Sequence, residues 1–361
     1  MGKRDNFSWK TQRALEGRAG HRCSFPGCPA VTIGPSEESA IAVSKTGTAC
    51  HIAAAAGGQG ARRYMPNMTK DERISIENGI WMCAQHGKLI DTDERRFTIP
   101  MLKKWRELAE FRAQWAQENG SEKPVPMHIL AGRMGFADED IKFTGLGNEN
   151  EIIGRAFEDC CIEMLWPDGV SRAVRDVIIE IIRNSLTHGG ASECLVQIRK
   201  GGIYIRDNGC DFSCLDLETR MNGRGGAAAI RHLMSEFSNE VIIGAKRENN
   251  FNETLLARAG GYSGILLTKP CCAFLERQDW EIIKTGMLPK PLLCEAISPC
   301  RILYLVLPDF TSPSDVYILR EGFSPDKLKG KQIVFVAGAA SELVRQKLKE
   351  LFPGSRVLVP K

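Results

Sequence analysis

EIIRNSLTHGG at residues 180–190, DNGCDF at 207–212, GRGGAAAIRHL at 223–233 and NETLLAR at 252–258 decide the fold of this chain. Glu180, Asn184 and His188 are spaced four apart, so they stack on one face of a helix expected over 171–187. Val177, Ile178, Ile181, Ile182 and Leu186 give that helix its buried side. CLVQIRK, a Gly-Gly turn and IYIRD read as a hairpin that ends at Asp207 and Gly209. A carboxylate beside an amide on one helix can orient water and hold Mg²⁺. Asp207 at a strand end can accept a hydrogen bond from an adenine amino group. Gly223, Gly225 and Gly226 precede a helix expected from Ala227 to Phe237, where backbone amides can cradle phosphates. Thr254, on a strand, can add a hydroxyl. Any one of these residues alone reads as a turn or a solvated helix face; their order carries the ATP-site reading.

These four segments resemble the boxes of the GHKL ATPase family (gyrase, histidine kinases, MutL and relatives). The resemblance covers about 110 residues. It implies an α/β sandwich with Glu180 as general base, Asn184 as Mg²⁺ ligand and Asp207 as the adenine reader. His188, Gly209, Gly223, Gly225 and Thr254 complete the implied ATP site. Relatives commonly dimerise, so a homodimer is an expected assembly. The chain departs from the pattern at Asp211, where the family usually has glycine, and in a short loop between Cys210 and Gly223. No phosphoacceptor histidine on a dimerisation helix is evident upstream, which favours ATP hydrolysis or ATP-gated switching over a phosphorelay.

The front of the chain carries a second pattern. Cys23-x-x-x-x-Cys28 and Cys83-x-x-His86 are two ligand pairs about 55 residues apart. Thiolates and imidazole in a tetrahedral set suit structural zinc. Pro26 and Gly27 favour a tight turn between the first two ligands, and Gly87 follows the second pair. The alternative is buried apolar thiols. Between the pairs, CHIAAAAGGQGARRYMPNMTKDERISIENGIWMCAQHGKLID (residues 50–91) resembles the HNH endonuclease family, over roughly residues 20–107. That resemblance implies a ββα-metal, treble-clef zinc fold, often fused to ATPases of bacterial defence systems. His51 falls at the position of the water-activating histidine and Asn78 at that of the asparagine bracing its loop. Two positions depart: Gly87 replaces the second histidine, and Cys50 replaces a metal ligand. Asp91 or Glu77 stand as substitutes. Arg62, Arg63, Lys88, Arg95 and Arg96 are candidates to meet phosphates, although each singly reads as solvated surface.

The chain has 361 residues, enough for two or three domains. Hydrophobic content of 43% and charged content of 25% are those of a soluble globular protein. No apolar run approaches the roughly 18 residues that span a bilayer, and the N-terminus lacks the apolar core of a secretory signal. Thirteen cysteines without an export signal suggest thiols or metal ligands in a reducing cytoplasm. The net charge is +4, and residues 1–120 hold 18 Lys/Arg against 13 Asp/Glu, which suits an anionic partner such as DNA.

A helix expected over 8–18 and another over 100–117 bracket the front end; ENGSEKPVP then reads as a linker. The last hundred residues show strand candidates at ILYLVLP, QIVFVAG and RVLVP, with the helix SELVRQKLKELF between the last two, a βαβ pattern. Cys271, Cys272, Cys294 and Cys300 read as buried free thiols. The expectation is therefore a multidomain α/β protein. It comprises an HNH-like zinc domain at 1–117, a linker at 118–149, a GHKL-type ATP-binding domain at 150–260 and a small α/β module at 261–361. Its expected function is a cytoplasmic, ATP-binding, zinc-containing nuclease or DNA-binding effector of the anti-phage kind, with Zn²⁺, Mg²⁺ and ATP as cofactors and no membrane. The alternative is a non-cleaving regulator, with a zinc docking module and a nucleotide sensor or anti-sigma-type kinase.

Overall fold

The computed structural model describes residues 4–56, 61–120, 123–126, 129–130, 133–166, 168–217, 226–293, 297–323, 328 and 330–359. The chain is mixed α/β and divides into two compact units. One comprises Met1–Ala137 with Glu158–Cys161, and the other Asp138–Phe157 with Ile162–Lys361.

In the first unit a helix, Trp9–Arg18, starts at Ser8, whose hydroxyl caps it by accepting from the Thr11 amide. A short hairpin pairs β1 (Ile33–Pro35) with β2 (Val43–Lys45). A second antiparallel pair joins β3 (Gly47–His51) to β4 (Gly79–Cys83), with Gly47 opposite Cys83 and His51 opposite Gly79. Gly47 is required because a Cβ there would sit 2.3 Å from the Trp81 ring. The helix Ala84–Ile90 follows β4 directly. Ile99–Asn119 is the long helix expected around 100–117; it opens at Pro100 and buries Leu102, Trp105, Leu108 and Ala109. Ile52, Ile80, Met82, Ile90 and Phe97 of the same unit are also buried.

The second unit holds two sheets. The first is antiparallel throughout, in the order β5-β6-β7-β9-β8. Its strands are β5 (Glu139–Phe143), β6 (Cys194–Arg199), β7 (Gly202–Asp207), β8 (Val241–Glu248) and β9 (Phe251–Arg258). On β6, Cys194, Val196 and Ile198 are buried and alternate with half-buried residues, which fixes the register of the hairpin. The helix Asp168–Thr187 packs against β6 and against the helix Gly226–Glu236. Its buried residues Val174, Val177, Ile178, Ile181 and Ile182 recur at helical spacing. The stretch read as a linker thus contributes edge strand β5; EDIKF is short and mostly charged, so its pairing leaves little mark on composition.

The second sheet is parallel, in the order β10 (Cys272–Phe274), β11 (Ile302–Val306), β12 (Gln332–Val336), β13 (Arg356–Leu358). Helices Arg277–Lys284, Pro313–Gly322 and Glu342–Leu351 occur between successive strands, so the βαβ pattern extends through the whole module. All five residues of β11 are buried, as expected of a strand covered on both faces. The two sheets are joined: the Arg301 amide donates to Ala245 O at 2.7 Å, and the Tyr304 hydroxyl donates to Ile243 O at 3.0 Å.

One expectation is corrected here. Cys271 and Cys300 are not free thiols but form a disulfide, with Cα atoms 5.5 Å apart. Adjacent parallel strands β10 and β11 bring the two residues together across a sequence separation of 29, which spacing alone does not reveal. Cys272 remains a thiol; Cys294 lies outside the described residues. Among the described residues, no helix is long and apolar enough to cross a membrane.

Candidate functional site

Cys23, Cys28, Cys83 and His86 converge in the first unit, their ligand atoms all within 4.8 Å of one another. The Cys23–Cys28 segment turns back on itself: the Cys28 amide donates to Phe25 O at 3.0 Å, and Gly27 adopts a left-handed φ of 76° that suits glycine. Cys83 ends β4 and precedes a helix, so His86, in its first turn, falls beside it. Nδ1 of His86 lies 3.2 Å from Sγ of Cys83 and 3.6 Å from Sγ of Cys23. Phe25 stacks on the imidazole at 3.9 Å, and Trp105 meets Phe25 edge-on at 4.8 Å. These aromatic walls hold the histidine ring in place. The cluster can hold a metal ion, and its donor set is compatible with zinc. It is the one such group of three or more Cys, His, Asp or Glu side chains found among the described residues.

His51 ends β3 and is only 6% exposed. Phe7 covers it, ring on ring, at 4.0 Å and 13°. Neither ring nitrogen makes a hydrogen bond. Burial, then the nearby Arg4 charge, pushes the imidazole pKa down to about 4. The Asp5 backbone counters part of that shift without meeting hydrogen-bond geometry. Asn78 closes the loop after His51: Oδ1 accepts from the Ala53 amide at 2.8 Å, and Nδ2 donates to Ala53 O and Arg73 O.

The positions around His51 are filled rather than open. A Cβ on Gly87 would lie 2.8 Å from Thr48 Cγ2 and 2.9 Å from Cys50 Sγ. Cys50 is itself buried, which pushes its thiol up to about 12. The two carboxylates considered as substitutes are engaged elsewhere: Asp91 pairs with Arg63 at 2.9 Å and Glu77 with Arg106 at 3.0 Å. Arg63 itself needs correction. It is buried, and its guanidinium donates to the carbonyls of His51, Ile52 and Ile90 and to Asp91, which leaves it no surface for a phosphate. A guanidinium can satisfy several inward-facing carbonyls at once, so it ties the loop after His51 to the end of the Ala84–Ile90 helix.

The second polar cluster lies in the other unit. Asp207, 4% exposed, ends β7. Its Oδ1 accepts from the Gly209 amide at 2.9 Å and from Asn252 Nδ2 at 3.0 Å; its Oδ2 accepts from the Ser185 hydroxyl at 3.0 Å. Gly209 has no room for a side chain, since a Cβ would lie 2.8 Å from Gly189 O and 2.9 Å from Asp207 Oδ1. Asn252 faces Asp207 directly across the β7–β9 ladder, and Thr254 is two residues along on the same face and buried. Asn184 Nδ2 donates to the Glu180 carbonyl at 2.7 Å, which leaves its Oδ1 as an acceptor. His188 follows the helix and is exposed.

Glu180 is held by Arg183 at 3.1 Å. Arg183 in turn donates to Glu149 at 2.7 Å, and Glu149 accepts from the Gly147 amide at 2.8 Å. That backbone bond, a second from its own amide and the Arg183 bond hold the Glu149 carboxyl down at about 2. Gly223 and Gly225 lie outside the described residues; Gly226 is buried at the start of its helix.

Sequence reasoning missed Ser185, Asn252, Arg183 and Glu149. Ser185 adjoins Asn184, and Asn252 shares a strand face with Thr254, so strand alternation could have flagged Asn252. Glu149, far off in sequence, left no signal. No family model, curated protein or solved structure matches the chain.

Proposed function

We propose that this chain is an ATP-binding, zinc-containing effector, in which a GHKL-type nucleotide module controls an HNH-like front end that engages DNA. The observation carrying the reading is the Asp207 carboxylate. It is buried at a strand end and fixed by three donors, yet it keeps an acceptor position on Oδ2 for a base amino group. Asn184 Oδ1 is a hard oxygen of the kind Mg²⁺ takes, on the same helix as the carboxylate of Glu180. When bound, Mg²⁺ would neutralise phosphate charge. The chain's own part is to hold the base at Asp207 and to orient water at Glu180. ATP can act as a switch only through different affinity for two conformations.

For the front end, zinc is the fitting ion: three thiols and one imidazole form a soft, four-ligand set without an open position. The buried His51, the packing of Gly87 against Cys50 and the engaged Asp91 and Glu77 favour a module that grips DNA without cutting it in this conformation.

The test is calorimetry and metal analysis on the full chain. Asp207→Ala should abolish ATP binding and leave about one equivalent of bound zinc unchanged. ATP binding that survives Asp207→Ala removes the nucleotide-site assignment. Incubation with plasmid, Mg²⁺ or Mn²⁺ and ATP separates the front-end readings. Cleavage lost in His51→Ala supports a nuclease, and retained DNA binding without cleavage supports the gripping module.

A further inference from the structure

We propose that Asn252 is the positioning residue that sets base selectivity at Asp207, so that the site takes a ring bearing an exocyclic amino group and rejects one bearing a carbonyl there. The proposal rests on the nucleotide-site reading above. Asn252 is 5% exposed, and all four of its amide hydrogen-bonding positions are filled. Its Oδ1 accepts from Arg247 Nη1 at 2.6 Å and from the Phe212 amide at 3.3 Å. Its Nδ2 donates to Asp207 Oδ1 at 3.0 Å and to Cys210 O at 2.8 Å. Two donors on one side and two acceptors on the other fix which end is oxygen, so the amide cannot flip. Arg247 also donates to Gly209 O at 3.2 Å, which ties the same cation to the DNG turn.

The consequence lies in the lone pairs of Asp207. A carboxylate offers about four acceptor positions. Gly209 and Asn252 occupy Oδ1, and Ser185 occupies one position on Oδ2. One acceptor on Oδ2 remains, and it has no donor to offer. An amino group satisfies it; a carbonyl oxygen would set lone pair against lone pair in a buried site, where the unmet bond is costly. Asn252 thus acts through Asp207: without it the carboxylate keeps one donor on each oxygen, but it loses its third anchor and gains a free acceptor on Oδ1, so the Oδ2 acceptor is held less firmly in place.

The experiment compares ATP with inosine triphosphate, which replaces the amino group by a carbonyl, by calorimetry on the full chain. The parent protein should prefer ATP by at least about tenfold, the size of one lost buried hydrogen bond. Asn252→Ala should weaken ATP about tenfold and shrink the ATP-to-inosine-triphosphate ratio to roughly threefold or less. If both nucleotides weaken equally and the ratio stays put, Asn252 is merely structural and the proposal fails. Unchanged ATP affinity in a folded Asn252→Ala protein also overturns it. Should Asn252→Ala not fold, Arg247→Gln, which removes one of the two donors on Asn252 Oδ1 and so loosens its hold on Asp207, is read by the same ratio; an unchanged ratio there overturns the proposal. A parent chain that binds neither nucleotide defeats the nucleotide site itself, an outcome distinct from an unchanged ratio.

Discussion

At the scale of single residues, His51 shows what burial does to a would-be base. With Phe7 stacked on its face and no partner for either nitrogen, the imidazole is held neutral, its pKa pushed down to about 4. The unfolded chain titrates near 6.5. Between those values the unfolded state binds more protons than the folded one, so stability falls as pH drops through that window and levels off below about 4. The loss is at most on the order of 3 kcal/mol. NMR titration of the His51 ring should give a midpoint below 5, and His51→Leu should flatten the pH dependence of unfolding between 4 and 6.5. A midpoint near 6.5 would mean that Phe7 does not cover the ring in solution. If a nucleotide or DNA were to lift Phe7 away, the same titration would report it as a rise toward the ordinary value.

At the scale of elements, legibility followed periodicity. The helix carrying Glu180, the β6–β7 hairpin and the strands of the parallel sheet announce themselves through spacing three or four, alternation or continuous burial. The metal cluster was legible because its ligands come in close pairs at a turn and at a strand–helix junction. Contacts set by pairing register were not. Asn252 meets Asp207, and Cys271 meets Cys300, only once the strands are aligned. Edge strand β5 was hidden by its charges. The metal-bearing junction also predicts how its elements depend on the ion. The Cys23–Cys28 pair and the Cys83–His86 pair sit on separate segments with Phe25 and Trp105 packed beside His86, so metal removal leaves thiols crowded without a common partner. Treatment with a strong chelator should release about one equivalent of metal and lower helical circular dichroism. Cys83→Ser should show the same loss without chelator. Full helicity after complete metal release would show that aromatic packing alone sustains the junction.

At the scale of the whole molecule, the division into two compact units predicts more than one unfolding transition. The units carry different fastenings: the Cys/His cluster lies in the first, and the Cys271–Cys300 disulfide in the second. Each fastening can be undone by a reagent the other resists. A chelator should move the transition of the unit holding Cys23, and a thiol reductant that of the unit holding Cys271. The disulfide closes a loop of about 30 residues, which in the chain-entropy account corresponds to roughly 3 to 4 kcal/mol of stability in its unit. Cys300→Ser should therefore lower the second transition by several degrees and leave the first in place, as read by calorimetric scanning with and without chelator. ATP gives the complementary reading. A ligand that binds only the folded form raises the transition of the unit holding its site, so ATP should stabilise the transition sensitive to Cys300→Ser. If ATP raised only the chelator-sensitive transition, nucleotide binding would belong to the metal-bearing unit and the assignment of Asp207 would fail.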